Sequence, residues 1–282
     1  MRKVFIQANK KQAFGAKIAK FAIERNLKND QTVKIEIMLI EDTPAFQNFV
    51  GKEYFFNKEL GLKRTYTFND LQSFTLTRFM PPELAGFEGK AVVIDPDVFA
   101  LVDISDLFDT DMRGHAVLAP RKKKAWDTST MLLDCKKLTH WKIENIIGDI
   151  ITGKRDYHTW ISLKEEESVG ELSRRWDDLD LLTPETKMLH MTGRLTQPWK
   201  TGLPIDFTRN KMPKFFGIIP REPIHKLLGK YPTRYQPHPD KNIDTFFFGL
   251  LKDALHAGAV TRAEIEREIM AGNVRKDIFE FI

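Results

Sequence analysis

The chain holds 282 residues, 42% of them hydrophobic and 29% charged, a balance that excludes a disordered chain, a collagen-like chain and a polytopic membrane protein. Lysine and arginine total 44 against 39 acidic residues, and the resulting net charge of +5 is too small to imply nucleic-acid binding but suits an anionic small substrate. The single cysteine, Cys135, has no partner for an intrachain disulfide and points to a reducing compartment. No run approaches the ~18 apolar residues of a spanning helix, and no apolar segment of signal-peptide length follows the basic start. The expectation is a soluble cytoplasmic protein with at most a peripheral contact on the inner face of the membrane.

The elements follow in chain order. Lys3 to Ala8 reads as a short buried strand. Gln12 to Arg25 places Phe14, Ile18, Phe21 and Ala22 at helical spacing, and Val33 to Ile40 alternates as a strand does. The opening is therefore strand, helix, strand, the start of a βαβ unit. Asn69 to Pro81 reads as a helix stopped by a Pro-Pro pair. Ala91 to Ile94 is an apolar run of the kind found in central strands, and Val98 to Val102 resumes it after an acidic triplet. His115 to Ala119 and Met131 to Leu133 are further strand candidates, with the basic tract Arg121 to Lys124 between them. Lys136 to Leu182 reads as mostly helical with charged faces, and Lys187 to Pro204 as an ordered loop. Past a Pro-rich stretch ending at Pro239, Ile243 to His256 and Thr261 to Met270 read as helices. Thr261 and Glu264 have the spacing of a capping box. The consecutive Phe246, Phe247 and Phe248 are most simply core.

Asp95-Pro96-Asp97 closes an apolar strand. Ligands of open α/β sheets bind outside the carboxyl ends of strands, and two carboxylates one residue apart can hold a hard divalent cation. The chain contains two more such pairs, Asp109/Asp111 and Asp178/Asp180, neither of which follows an apolar run. A turn built on Asp and Pro is the simpler reading of any one pair. The second informative segment runs from Leu189 to Lys200. His190 is a metal-ligand type, Gly193 permits close backbone approach, and Arg194 and Lys200 are cations suited to a diphosphate.

Together these segments resemble the family 8 glycosyltransferases, the group of glycogenin and the bacterial lipopolysaccharide galactosyl- and glucosyltransferases. The resemblance rests on Phe5-Ile6-Gln7-Ala8-Asn9, on Arg78 within Thr77-Arg78-Phe79, on Val92 to Val98 around the acidic triplet, and on His190 to Trp199. It covers about residues 1 to 210, with Gln197 standing where the family has a lysine. It implies an α/β fold of GT-A type, with a mixed central sheet flanked by helices and a C-terminal helical extension. A catalytic domain would span residues 1–219, and a Pro-rich linker and packed helical extension residues 220–282. It implies a metal-dependent hexosyltransferase that uses Mn²⁺ or Mg²⁺ and a nucleotide-diphosphate sugar, a UDP-sugar first of all, and acts with retention on a glycan or lipid-linked acceptor.

On that resemblance Asp95, Asp97 and His190 would hold the metal. Ala8, Asn9 and Gln12 would meet the nucleotide at the first strand, Arg78, Asp95 and Pro96 at the acidic triplet, and Gly193, Arg194, Gln197 and Lys200 in the late segment. Asp97, Arg78 and Asp156 would serve the reaction centre, with Asp177 and Asp178 as further candidates near the sugar. Solvated surface charge is the simpler reading of Asp156, Asp177 and Asp178. Arg194 or Lys200 would supply the cation missing at Gln197. Two alternatives stand beside this one. A nucleotidyltransferase would carry a Gly-rich loop after the first strand, and Gln7 to Phe14 has none. A non-catalytic nucleotide-sugar-binding protein would keep the fold without the chemistry.

Overall fold

The computed structural model describes residues 2–28, 33–123, 125–193, 195–207 and 232–282. Strands β1 (Arg2–Ala8), β2 (Val33–Leu39), β5 (Lys90–Ile94), β7 (Val117–Pro120), β8 (Thr130–Asp134) and β9 (Val169–Leu172) form one six-stranded sheet in the order β2-β1-β5-β8-β7-β9. β1 runs parallel to β2 and β5, whereas β8 is antiparallel to both β5 and β7. This is a mixed sheet. Ala91 to Ile94 are fully buried, as a continuous apolar run in a strand covered on both faces requires. The register sets Ile6 beside Ile94 and Ile94 opposite Thr130, so the residues just past β1 and β5 and just before β8 share one edge.

Two smaller sheets complete that edge. β6 (Val98–Ala100), β10 (Asp178–Leu179) and β11 (Met188–His190) form one, with β11 between the other two. β3 (Glu53–Asn57) and β4 (Leu62–Thr65) form a separate hairpin with an irregularity between Phe55 and Asn57. The helix Ala13–Asn26 lies against β1 and buries Phe14, Ile18, Ala19 and Ile23. Its Gly15 is there for contact: a Cβ would stand 2.8 Å from the Pro96 carbonyl oxygen, so only glycine lets the helix touch the acidic triplet. The C-terminal helix Lys241–His256 buries Ile243, Phe247 and Leu251 in the same core as Val4 and Ile6, with Phe247 stacked on Trp199 at 4.7 Å. The expected boundary at residue 220 lies outside the described residues. Thr261 and Glu264 form the capping box the sequence anticipates.

Four expectations are corrected. Asn69 to Pro81 is not an α-helix: Ser73–Phe79 is 3₁₀, with the Thr75 and Thr77 hydroxyls bonding back to the carbonyls of Gln72 and Phe74. The Pro-Pro pair starts the helix Pro81–Leu84 rather than stopping one, because a proline at the first helical position loses no needed N–H. The mostly helical middle keeps only Ile143–Thr152 and Tyr157–Ile161 as α-helices, and then turns to strand at β9 and β10. The loop Lys187 to Pro204 contains β11, which carries His190. No helix among the described residues is long and apolar enough to cross a membrane.

Candidate metal and nucleotide site

A cavity of about 550 Å³ opens at the shared edge. Asp95, Asp97 and His190 line it, and each offers a ligand atom within 4.8 Å of the others. The fold explains the convergence. Asp95 directly follows β5, where its backbone N–H donates to the Ser129 carbonyl (2.9 Å). His190 lies opposite Val98 in the antiparallel β6–β11 pair, and the Met191 N–H donates to the Asp97 carbonyl (3.0 Å). A separation of more than ninety residues in sequence is thereby reduced to neighbouring ladder positions.

His190 is braced from behind. Its Nδ1 bonds Asp177 Oδ1 at 2.8 Å, which leaves Nε2 3.4 Å from Asp97 Oδ1. Carboxylate support of this kind fixes the tautomer and orientation of a metal-binding imidazole. Asp177 is itself fully buried and accepts from the Ser129 and Thr130 hydroxyls and from Arg174. Burial disfavours charge on His190, but Asp177 and Asp97 outweigh it and push the imidazole well above its ordinary value. Burial raises the Asp95 carboxyl to about 6, against the pull of Arg78 and with help from Asp97. Two carboxylates and an imidazole suit a hard or borderline divalent ion such as Mn²⁺. Such an ion would displace the proton from Nε2.

Arg78 forks onto Asp95, donating from Nε to Oδ1 (2.9 Å) and from Nη2 to Oδ2, while Nη1 donates to Thr128 Oγ1 (2.8 Å). A carboxylate has about four lone-pair sites, so this fork and a metal can share Asp95. Gln12 and Gln197 also line the cavity. Gln197 does not stand free as a phosphate ligand: its Nε2 donates to Asp97 Oδ2 (2.9 Å). The amide therefore acts on a candidate metal-binding carboxylate at the place where the resemblance expects a cation.

Other anticipated residues take different places. Ala8 is fully buried at the end of β1. Asn9 is a brace, donating to the carbonyls of Asp70 and Leu71 and to Ser73 Oγ, and so holding a segment that lines the cavity. Pro96 is buried against the helix at Gly15. Gly193 closes a tight turn, in which a Cβ would meet Thr196 Oγ1 at 2.1 Å. Lys200 is fully buried away from the cavity lining, its Nζ held by Asp206 at 3.0 Å, and burial lowers its pKa. Arg194 and Lys124 lie outside the described residues. Asp156 is outside the lining and caps the helix Tyr157–Ile161, with Oδ1 accepting from the Thr159 N–H (2.7 Å) and Oδ2 from the Lys58 N–H (2.6 Å).

Asp156, Asp177 and Asp178 correct the surface-charge reading, since all three are buried. Nothing local marks Asp177, thirteen positions before His190; parallel pairing of β10 with β11 brings the two together. Tyr157, Thr128, Ser129, Asp127 and Lys122 also line the cavity. Lys122, the Ser129 hydroxyl and His190 overcome the burial of Asp127 and hold its carboxyl well below the usual range.

No protein-family profile and no curated protein matches the chain. Solved structures do. The apo-form glycosyltransferase GlyE of Streptococcus pneumoniae TIGR4 superposes with a TM-score of 0.50 at 15% identity, covering 85% of this chain and 66% of that one. The chain thus spans just under two thirds of the length of GlyE. The galactosyltransferase LgtC, solved with donor and acceptor sugar analogs, gives a TM-score of 0.45 at 14% identity over 71% of this chain and 89% of that one. The likeness to GlyE and the mixed sheet establish the GT-A glycosyltransferase fold.

Proposed function

We propose that the chain is a metal-dependent glycosyltransferase. It would transfer a hexose from a nucleotide-diphosphate sugar, a UDP-sugar being the first to test, to an acceptor hydroxyl with retention. The observation that carries this reading is the convergence of Asp95, Asp97 and His190 at the carboxyl edge of a GT-A sheet, in a cavity large enough for a ligand. A divalent ion bound there supplies Lewis-acid neutralisation of the leaving diphosphate. The chain's own residues do the rest. Asp177 orients His190, Gln197 orients Asp97, and Arg78 bridges Asp95 to Thr128, keeping a fixed cation beside the developing charge. For a retaining transfer the diphosphate oxygen takes the acceptor proton, so no side chain is assigned as base.

Support also comes from the structural likeness to GlyE, described as a glycosyltransferase. The test is a panel of UDP- and GDP-sugars followed by nucleoside-diphosphate release, with Mn²⁺ and with EDTA. Release with one donor that requires Mn²⁺ is expected. A thermal shift should accompany it, since a ligand at ~100 times its Kd adds ~2.7 kcal/mol. Mn²⁺-dependent binding of every donor without release would favour a non-catalytic binding protein. Binding equal in EDTA would overturn the metal reading.

A further inference from the structure

We propose that Lys200 is a positioning residue for the candidate metal site, acting from outside the cavity through Gln197; this rests on the metal reading above. Lys200 is the one lysine or arginine that is buried among the described residues, and a lysine is almost never fully buried unless it is paired. Its ammonium is held from two sides. Nζ donates to Asp206 Oδ2 (3.0 Å) and lies 5.4 Å from the centre of the Tyr235 ring, whose hydroxyl donates to the other oxygen, Asp206 Oδ1. A buried ion pair adds little stability over an apolar pair of the same volume, because desolvation offsets the attraction. What it supplies is direction. With one carboxylate oxygen taken by an ammonium and the other by a phenol, Lys200, Asp206 and Tyr235 are fixed in one arrangement.

Short steps carry that arrangement to the site. Lys200 closes the 3₁₀ turn Pro198–Lys200, and its N–H donates to the carbonyl of Gln197, the residue that opens the turn (3.0 Å). Gln197 in turn donates from Nε2 to Asp97 Oδ2 (2.9 Å), while its Oε1 is buried with no hydrogen-bond partner, so the place of the amide depends on the turn that carries it. On the other side the Gly202 N–H donates to the Tyr235 carbonyl and the Tyr235 N–H to the Leu203 carbonyl (both 2.9 Å). The pin therefore sits where the segment that carries Gln197 meets the backbone around Tyr235. The Asp206 carbonyl also accepts from the N–H of Leu71 (3.3 Å), a residue of the cavity lining. If the pin is lost, the turn can shift and the amide leaves Asp97.

The experiment is a double-mutant cycle on the full chain, read by Mn²⁺ titration under electron paramagnetic resonance and by thermal unfolding without metal. Lys200→Met keeps much of the side-chain volume and removes the charge. It should weaken Mn²⁺ binding roughly threefold to tenfold, no more than removal of Gln197 itself. In a Gln197→Ala background the same change should alter Mn²⁺ affinity by less than about twofold, because its route to Asp97 is gone. Lys200→Met also leaves Asp206 without its cation and should lower the unfolding temperature. Lys200→Met/Asp206→Asn should recover that stability while Mn²⁺ binding stays weak, since a neutral pair fills the space without fixing direction. Three results would overturn the proposal while sparing the metal reading: unchanged Mn²⁺ affinity in Lys200→Met, an equal loss in the Gln197→Ala background, or Mn²⁺ affinity that recovers together with stability in the double variant. A roughly tenfold fall in UDP affinity at saturating Mn²⁺ in Lys200→Met would place Lys200 on the diphosphate instead. Failure of Mn²⁺ to bind the wild-type chain would remove the underlying reading and this inference together.

Discussion

The two sides of the cavity are assembled on opposite plans. The metal side draws Asp95, Asp97, Asp177 and His190 from β5, β10 and β11 and the segments around them, and braces each of them through buried hydrogen bonds. The side formed by the β3–β4 hairpin, which brings Phe56 and Arg64 to the lining, is a local unit of two strands and a turn, tied down by Asp156 and by the stacked rings of Phe56 and Tyr157. The first plan gives a geometry that no single loop controls, which suits a reaction centre. The second lets the hairpin side change without disturbing the sheet.

Four substitutions or conditions sharpen that contrast. The largest effect is expected at Asp177→Asn, which keeps the shape but removes the charge behind His190. Losing such a support costs 10–100-fold in metal affinity, so Mn²⁺ binding followed by electron paramagnetic resonance should weaken by that order. Gly15→Ala comes next. Its Cβ would press on the Pro96 carbonyl, and overpacking of this kind costs about 1–3 kcal/mol. Chemical denaturation should show that loss, with Mn²⁺ binding weakened because the triplet must move. Gln197→Ala removes one donor from Asp97 and should cost roughly tenfold in Mn²⁺ affinity, at the low end of outer-shell effects. UDP affinity at saturating Mn²⁺ should change much less, which separates an amide acting on the metal ligand from one acting on phosphate.

The smallest effect concerns pH. The Asp95 carboxyl titrates near 6 in the fold, above its ordinary 3.8, so the folded state takes up that proton more readily than the unfolded chain. Metal-free stability should therefore fall as pH rises from about 4 to about 6. His190, raised above its ordinary value, adds stability below about 6.5 that is lost as pH climbs through its folded value. Metal binding has the opposite slope, because Mn²⁺ needs the ionised carboxylate and the neutral imidazole. Thermal unfolding across pH with and without Mn²⁺ should show the two curves diverging upward of pH 6.

The central strands were legible because β5 and β8 are apolar runs and β2 alternates, whereas β9 was hidden in a charged segment read as helical; the candidate metal set was visible as an acidic triplet after an apolar run and a late histidine. The brace was not legible. Asp177 looked like surface charge beside Asp178, since its partner is fixed by strand pairing across β10 and β11, which leaves no periodic signal. Lys200 looked like a phosphate cation, but burial against Asp206 withdraws it. Asp156 read most simply as surface charge, and it joins a helix to a hairpin that has no strong strand pattern of its own. In each case the chemistry of the side chain was plain, and its partner was set by long-range packing.

The three Asp-x-Asp pairs give the most direct test of the central claim. Asp95 and Asp97 are buried beside His190. Asp109 is exposed against Arg2, and Asp111 shapes a turn by accepting from the Arg113 N–H. Asp178 is buried in a strand, and Asp180 binds the Thr192 hydroxyl. Mn²⁺ titrated into the wild-type chain, Asp97→Asn and Asp111→Asn, and followed by electron paramagnetic resonance, should show one site in the first and third and none in the second. Asp111→Asn should also unfold within ~0.5 kcal/mol of wild type. Equal Mn²⁺ binding by Asp97→Asn, or loss of the site in Asp111→Asn, would contradict the account.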